Sequence, residues 1–208
     1  MAEKTNVMRI LEKAGVEFSA YTYKSDGQVD GVHVAETCGI PYEKCFKTLV
    51  TFYKENNGKT AFFVFVIPVC EELDLKAAAK SVGVKRVEML AVKDLLKTTG
   101  YIRGGCSPVG MKKPFVTVID SSAEAQDWIT VSGGKIGTQI RLSPLDLVKV
   151  INGKFDKVTV LYFSQCSSVY IFTYVPRGTL VKMENATHSP VCENFSWKCY
   201  TFSDECEF

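Results

Sequence analysis

FKTLVTFYKENNGKTAFFVFVIP, residues 46–68, decides the fold. Two runs rich in β-branched and aromatic residues, Phe46–Tyr53 and Thr60–Ile67, are separated by Asn56-Asn57-Gly58. Asn and Gly tolerate positive φ, so the junction reads as a hairpin turn between two antiparallel strands. The second run contains AFFVFVI, apolar at every position. A strand with one face in water would alternate, so this one is expected at the centre of a sheet covered on both sides.

Working outward from that hairpin, helical and strand signals alternate. Toward the N-terminus, Asn6 is a plausible cap for a helix carrying Val7, Ile10, Leu11 and Ala14 and stopped by Gly15. Val16–Tyr23 alternates like a strand, and Val32–Cys38 reads as a short helix ended by Gly39. Toward the C-terminus come a helix at Leu75–Val82, a strand at Arg86–Leu90 and a helix at Val92–Thr98. A polar, glycine-rich loop, Tyr101–Lys113, leads to a strand at Phe115–Ile119. Strands at Ile129–Val131 and Ile140–Leu142 flank a second glycine loop, Ser132–Gly137. Ser143-Pro144 opens a last helix, closed by Asn152-Gly153. The pattern predicts one α/β (α+β) domain over residues 1–155. Residues 156–208 form a Cys-, Ser- and aromatic-rich extension, expected to be only partly ordered. Its strand-like stretches are Val158–Phe163 and Val169–Val175.

Composition narrows the function classes. With 208 residues, 46% hydrophobic and 23% charged, the chain can bury a core without disulfides or metals. The formal charge is +2, with 21 basic and 17 acidic residues in 1–155 against 4 and 6 in 156–208. So mild an excess does not hold nucleic acid by bulk electrostatics; a local cluster would have to. No secretory signal is read at the N-terminus and no apolar run is long enough to span a bilayer, so a cytoplasmic location without a membrane partner is expected. In a reducing compartment the eight cysteines are thiols. Cys166, Cys192, Cys199 and Cys206 match no standard zinc spacing.

The chemistry must come from few residue types. The chain has two histidines, His33 and His188, and no GxSxG, HExxH or Walker A pattern, so neither a Ser/His nor a Cys/His nucleophile pair is expected, nor a metal or other cofactor. Two glycine segments stand beside strands: GGCSPVG at Gly104–Gly110 and SGGKIG at Ser132–Gly137. Each is read either as a tight turn or as a loop whose N–H groups meet a developing oxyanion or a phosphate. Lys47, flanked by apolar residues on a strand, is either structural or buried for a purpose. Cys106 has no histidine near it in sequence to lower its pKa and reads as a small loop residue.

Taken jointly, FKTL at Phe46–Leu49, IPVCEELDLKAAAK at Ile67–Lys80, VEML at Val87–Leu90, TGYIRGGCSPVGMKK at Thr99–Lys113 and VSGGKIG at Val131–Gly137 resemble the YbaK/EbsC family of free-standing aminoacyl-tRNA deacylases. They are relatives of the prolyl-tRNA synthetase editing domain. The resemblance covers residues 4–155. It implies a mixed, barrel-like β-sheet flanked by helices, and removal of an amino acid esterified to the 3′ end of tRNA. Cysteine mischarged on tRNA(Pro), and also Cys-tRNA(Cys), is the expected substrate. The resemblance gives Lys47 the part of an essential lysine that holds oxygens of the terminal adenosine. Gly104, Gly105 and Gly110 belong to the loop facing the scissile ester. Tyr23, Thr48, Ser107, Ser132, Gly133, Gly134, Lys135 and Gln139 are the expected substrate-binding set. In the cysteine branch the substrate's own thiol attacks its carbonyl, so the protein supplies positioning and oxyanion stabilisation. Some members carry an aspartate where this chain has Gln139, and an amide can hydrogen-bond but not act as a base. Two further readings remain: an alanine-selective editor, and a catalytically weak module that docks on tRNA or on prolyl-tRNA synthetase.

Overall fold

The computed structural model describes residues 4–24, 30–55, 58–161, 173–175 and 179–181. Helix α1 (Asn6–Lys13) and strand β1 (Phe18–Thr22) lead to α2 (Gly31–Cys38), the hairpin β2 (Phe46–Lys54) and β3 (Thr60–Pro68), and the short β4 (Glu71–Leu73). Next come α3 (Leu75–Ser81), β5 (Glu88–Met89), α4 (Val92–Thr99), β6 (Val116–Asp120), β7 (Ile129–Ser132) and β8 (Thr138–Leu142). The run closes with α5 (Pro144–Ile151), β9 (Lys154–Asp156) and β10 (Thr159–Leu161). Thr5, not Asn6, caps α1: its backbone is extended and its hydroxyl accepts the Met8 N–H at 3.3 Å. Gly58, at φ 81°, supplies the positive φ expected between β2 and β3; Asn56 and Asn57 lie outside the described residues.

β3 is the middle strand of a mixed five-stranded sheet ordered β5-β2-β3-β6-β9. It pairs antiparallel with β2 (Val64 opposite Val50) and parallel with β6 (Phe65 opposite Val118). Val64, Phe65, Val66 and Ile67 are all fully buried. The two-residue period divides them. Val64 and Val66 pack into a core with Val7 and Leu11 of α1 and with Val131 and Ile140 of the second sheet. Phe63, Phe65 and Ile67 pack on the other side with Ala78 and Ala79 of α3, Val118 and Val158. Burying each such side chain contributes about 1.5–3 kcal/mol.

The second sheet is antiparallel, ordered β1-β8-β7. Besides the shared core, one parallel backbone bridge among the described residues joins the two sheets, Cys45, just before β2, opposite Thr130 of β7. The barrel-like sheet expected from the resemblance is therefore two open sheets joined at a seam, because among the described residues no continuous ladder runs between them.

Residues 156–161 belong to this same body. β9 adds to the five-stranded sheet beside β6, β10 pairs antiparallel with β4, and the compact unit runs Met1–Tyr162. Taken by itself, the second unit, Phe163–Phe208, contains an antiparallel pair, β11 (Thr173–Val175) and β12 (Thr179–Val181). β11 falls at the end of the strand-like run read at Val169–Val175. The start of that run, Cys166, Cys192, Cys199, Cys206 and His188 lie outside the described residues. No helix among the described residues is long and apolar enough to cross a membrane.

Candidate active site

The seam between the sheets opens into a cavity of about 520 Å³. Lys47 and Thr48 reach it from the start of β2, Ser132 from the end of β7, Gln139 from β8 and Gly104 from the loop after α4. A larger, shallow groove of about 810 Å³, lined by Glu12, Trp128, Arg141 and Asp146, holds none of the residues expected to carry chemistry. The smaller cavity is the one with reactive character.

Lys47 is half-buried, and its ammonium donates a hydrogen bond to the Val69 carbonyl at 2.9 Å. Burial lowers its pKa, while the carboxylates of Glu72 and Asp30, the Cys70 thiol and Glu71 pull it back up. Three buried side-chain atoms of the same lining, Thr48 Oγ1, Ser132 Oγ and Gln139 Oε1, have no hydrogen-bond partner among the described residues. Unsatisfied groups of this kind cost about 1–3 kcal/mol each, so their concentration on one cavity marks a polar ligand site. Tyr23 lies just behind this wall. Burial raises its phenol pKa, and the Gly137 backbone and the Gln139 side chain act on it in the opposite direction.

The two glycine loops do meet. A Cβ built on Gly105 would stand 3.2 Å from the Ile136 backbone nitrogen and 3.3 Å from the Lys135 carbonyl carbon, so the loops touch backbone to backbone. The Gly105 N–H itself is donated to the Ile102 carbonyl at 3.1 Å and is not free for an oxyanion. Gly104 and Cys106 are the residues of that loop that line the cavity. Ser107 is fully buried, and its hydroxyl accepts the Val109 N–H at 3.3 Å, shaping the loop from behind. Gly110 faces α1: a Cβ there would lie 2.8 Å from Ile10 Cδ1. Gly133 and Gly134 form the tight β7–β8 turn, with the Gly133 N–H bound to the Thr138 carbonyl at 2.9 Å and Gly134 packed on Val7. Lys135 is exposed on that turn. None of Tyr23, Gly105, Ser107, Gly110, Gly133, Gly134 and Lys135 contributes to the cavity lining.

Sequence reasoning missed Asp30, Cys45, Glu72, Met89 and Arg103, which also line the cavity. Glu72, Met89 and Arg103 sit inside stretches that carry the family resemblance, and Cys45 directly precedes FKTL; Asp30 carries no local signal and arrives through long-range packing. Neither cavity thiol is a nucleophile at neutral pH. Burial pushes Cys45 up to about 11 and Cys106 up to about 12. The arrangement can hold an amine or hydroxyl donor against Gln139, a phosphate or hydroxyl oxygen against Lys47, and an acyl group between them.

Comparison with known proteins agrees in kind. The family model of the aminoacyl-tRNA editing domain matches residues 29–150. The chain is 47% identical over 158 residues to the Enterococcus faecalis protein named "Putative Cys-tRNA(Pro)/Cys-tRNA(Cys) deacylase EbsC", covering 76% of this chain and 94% of that one. Among solved structures, hypothetical protein APE2540 superposes with a TM-score of 0.66 at 22% identity, covering 76% of this chain and 100% of that chain. A protein described as "a putative trans-editing enzyme for prolyl tRNA synthetase" gives a TM-score of 0.62 at 19% identity, with 76% and 99% covered. At those identities the likeness is one of fold.

Proposed function

The chain belongs to the family of aminoacyl-tRNA editing domains, and from that premise we propose that it is a deacylase that removes cysteine mischarged on tRNA(Pro), and also acts on Cys-tRNA(Cys). The observation that carries the reading is the convergence of Lys47 with three polar atoms that have no partner among the described residues, Thr48 Oγ1, Ser132 Oγ and Gln139 Oε1, on one cavity. An aminoacyl ester brings the complementary groups. Its ammonium donates to Gln139 Oε1, its ribose hydroxyls meet Thr48 and Ser132, and the terminal adenosine's oxygens accept from Lys47.

The substrate's Sγ then attacks its own carbonyl carbon. A C–S bond forms, the C–O bond to the ribose breaks, the thiol proton leaves to solvent, and the ribose oxygen takes up a proton as tRNA departs from the thiolactone. The protein's share is to hold thiol and carbonyl in line and to meet the oxyanion from the backbone of Gly104 and Cys106, the residues of that loop that line the cavity. Gln139 stays neutral throughout and positions rather than accepts a proton. Selection of the tRNA body falls to a partner such as prolyl-tRNA synthetase, since the +2 net charge gives the chain little grip of its own.

Deacylation of Cys-tRNA(Pro) and Ala-tRNA(Pro) tests this. Wild type should release cysteine faster than alanine, and Lys47→Ala should lower kcat/KM on Cys-tRNA(Pro) by about 100-fold or more. Equal turnover by Lys47→Ala would remove the lysine's role. Absence of turnover by wild type on both substrates would leave a binding module.

A further inference from the structure

One wall of the cavity is built by a very short element. Glu72 and Leu73 of β4 line it, and the Val69 carbonyl that holds Lys47 lies just before that strand. β4 has three residues and, among the described residues, a single partner strand, β10, with Leu73, Glu72 and Glu71 opposite Thr159, Val160 and Leu161. β10 in turn is held from below. Asp120, fully buried at the end of β6, accepts the Val158 N–H at 3.0 Å and the Thr159 hydroxyl at 2.9 Å on Oδ2, and the Ser122 N–H at 3.0 Å on Oδ1. The Asp74 N–H binds the Val158 carbonyl at 2.9 Å. Lys157 stands 3.8 Å from Asp120 and 3.7 Å from Glu71, closing the clasp from outside.

We propose that Asp120 is a positioning residue for the editing site: through β10 it fixes β4, and so sets where the Glu72 carboxylate stands relative to Lys47. The inference rests on the deacylase reading of the cavity. Asp120 itself does not line the cavity, so its effect must travel through the strand pair. The two-residue period of β4 provides the route, since Glu71 is buried beside Lys157, away from the cavity, while the next residue, Glu72, faces it. A buried carboxylate that accepts two main-chain N–H groups and a hydroxyl holds its partners far more firmly than a three-residue ladder does by itself. With the clasp loosened, Glu72 moves away from Lys47. Of the groups that act on that amine (Glu72, Asp30, Cys70 and Glu71), Glu72 acts most strongly to keep it protonated.

The test uses the full chain and three variants, Asp120→Asn, Thr159→Val and Thr159→Ser. Kinetics on Cys-tRNA(Pro) are followed across pH and corrected for uncatalysed ester hydrolysis. Asp120→Asn and Thr159→Val should lower kcat/KM about 10-fold and shift its alkaline limb to lower pH. Thr159→Ser, which keeps the hydroxyl, should restore both. Glu72→Gln should move the limb in the same direction. Should Asp120→Asn fail to fold, the Thr159 pair decides alone. Wild-type kinetics and an unmoved limb in folded Thr159→Val would overturn the proposal. Lys47 is also titrated by NMR in wild type and Thr159→Val without substrate. A deacylase reading that failed would leave this readout standing, and an unchanged Lys47 titration would sink the clasp even if wild type is active.

Discussion

At Gly134 the backbone has φ 85°, and a Cβ added there would lie 2.9 Å from Val7 Cγ2 and 3.1 Å from Tyr101 Cε1. The residue lets the β7–β8 turn rest directly on α1. Left-handed backbone alone costs an L-residue about 1–2 kcal/mol, and the clash with Val7 adds to it. Gly134→Ala should therefore lose more stability in urea unfolding than Gly15→Ala, where φ is 69° but nothing lies within 4 Å. Equal losses would mean that the contact with α1 carries no energy. The same residue shows where the sequence was legible and where it was not. SGGK was read as a turn or a ligand loop; Ser132 lines the cavity, and the two glycines after it serve the turn. Local sequence reveals that backbone freedom is needed, but not which neighbour requires it. Lys47 was legible for the opposite reason, because a charge inside an apolar strand is conspicuous at any position in the fold.

Among elements, β3 could be read without its neighbours. Seven consecutive apolar residues have one outcome in an α/β sheet, and both core clusters claim alternate members of the run. β4 and β9, at three residues each, are too short to show a period, and both take their identity from strands far away in the chain. That is why the clasp between β4 and β10 was not visible in the sequence. Its buried carboxylate also has a pH signature. Burial pushes the Asp120 carboxyl up, but the bonds from Val158, Ser122 and Thr159 outweigh it and hold the group below its ordinary value. The folded-state pKa thus lies under that of an unfolded chain, about 3.9. The stabilisation is complete above the unfolded value and disappears as pH falls through the folded one. Wild type should exceed Asp120→Asn by about 1.5–3 kcal/mol in urea unfolding at pH 7, with the gap closing below about pH 4. A gap that persists unchanged to pH 3 would assign the difference to packing instead.

For the whole molecule, charge and topology set the behaviour. With a net charge of +2, and Lys47 and Arg103 as the cations of the cavity lining, only about two phosphates are neutralised on binding. Raising salt from 50 to 200 mM should therefore lower kcat/KM at the tRNA level only about 7–12-fold. A drop of a thousandfold would reveal a wider basic footprint than this chain displays. Topology matters before the protein is ever finished. β3 gains its first partner, β2, from residues already made, but its other neighbour, β6, begins at Val116. On the ribosome, the stickiest strand of the chain must wait with one edge bare while some fifty further residues are synthesised. At translation speeds of roughly 5–20 residues per second, that is a delay of seconds, long enough for nascent-chain chaperones to cover that open edge before β6 arrives.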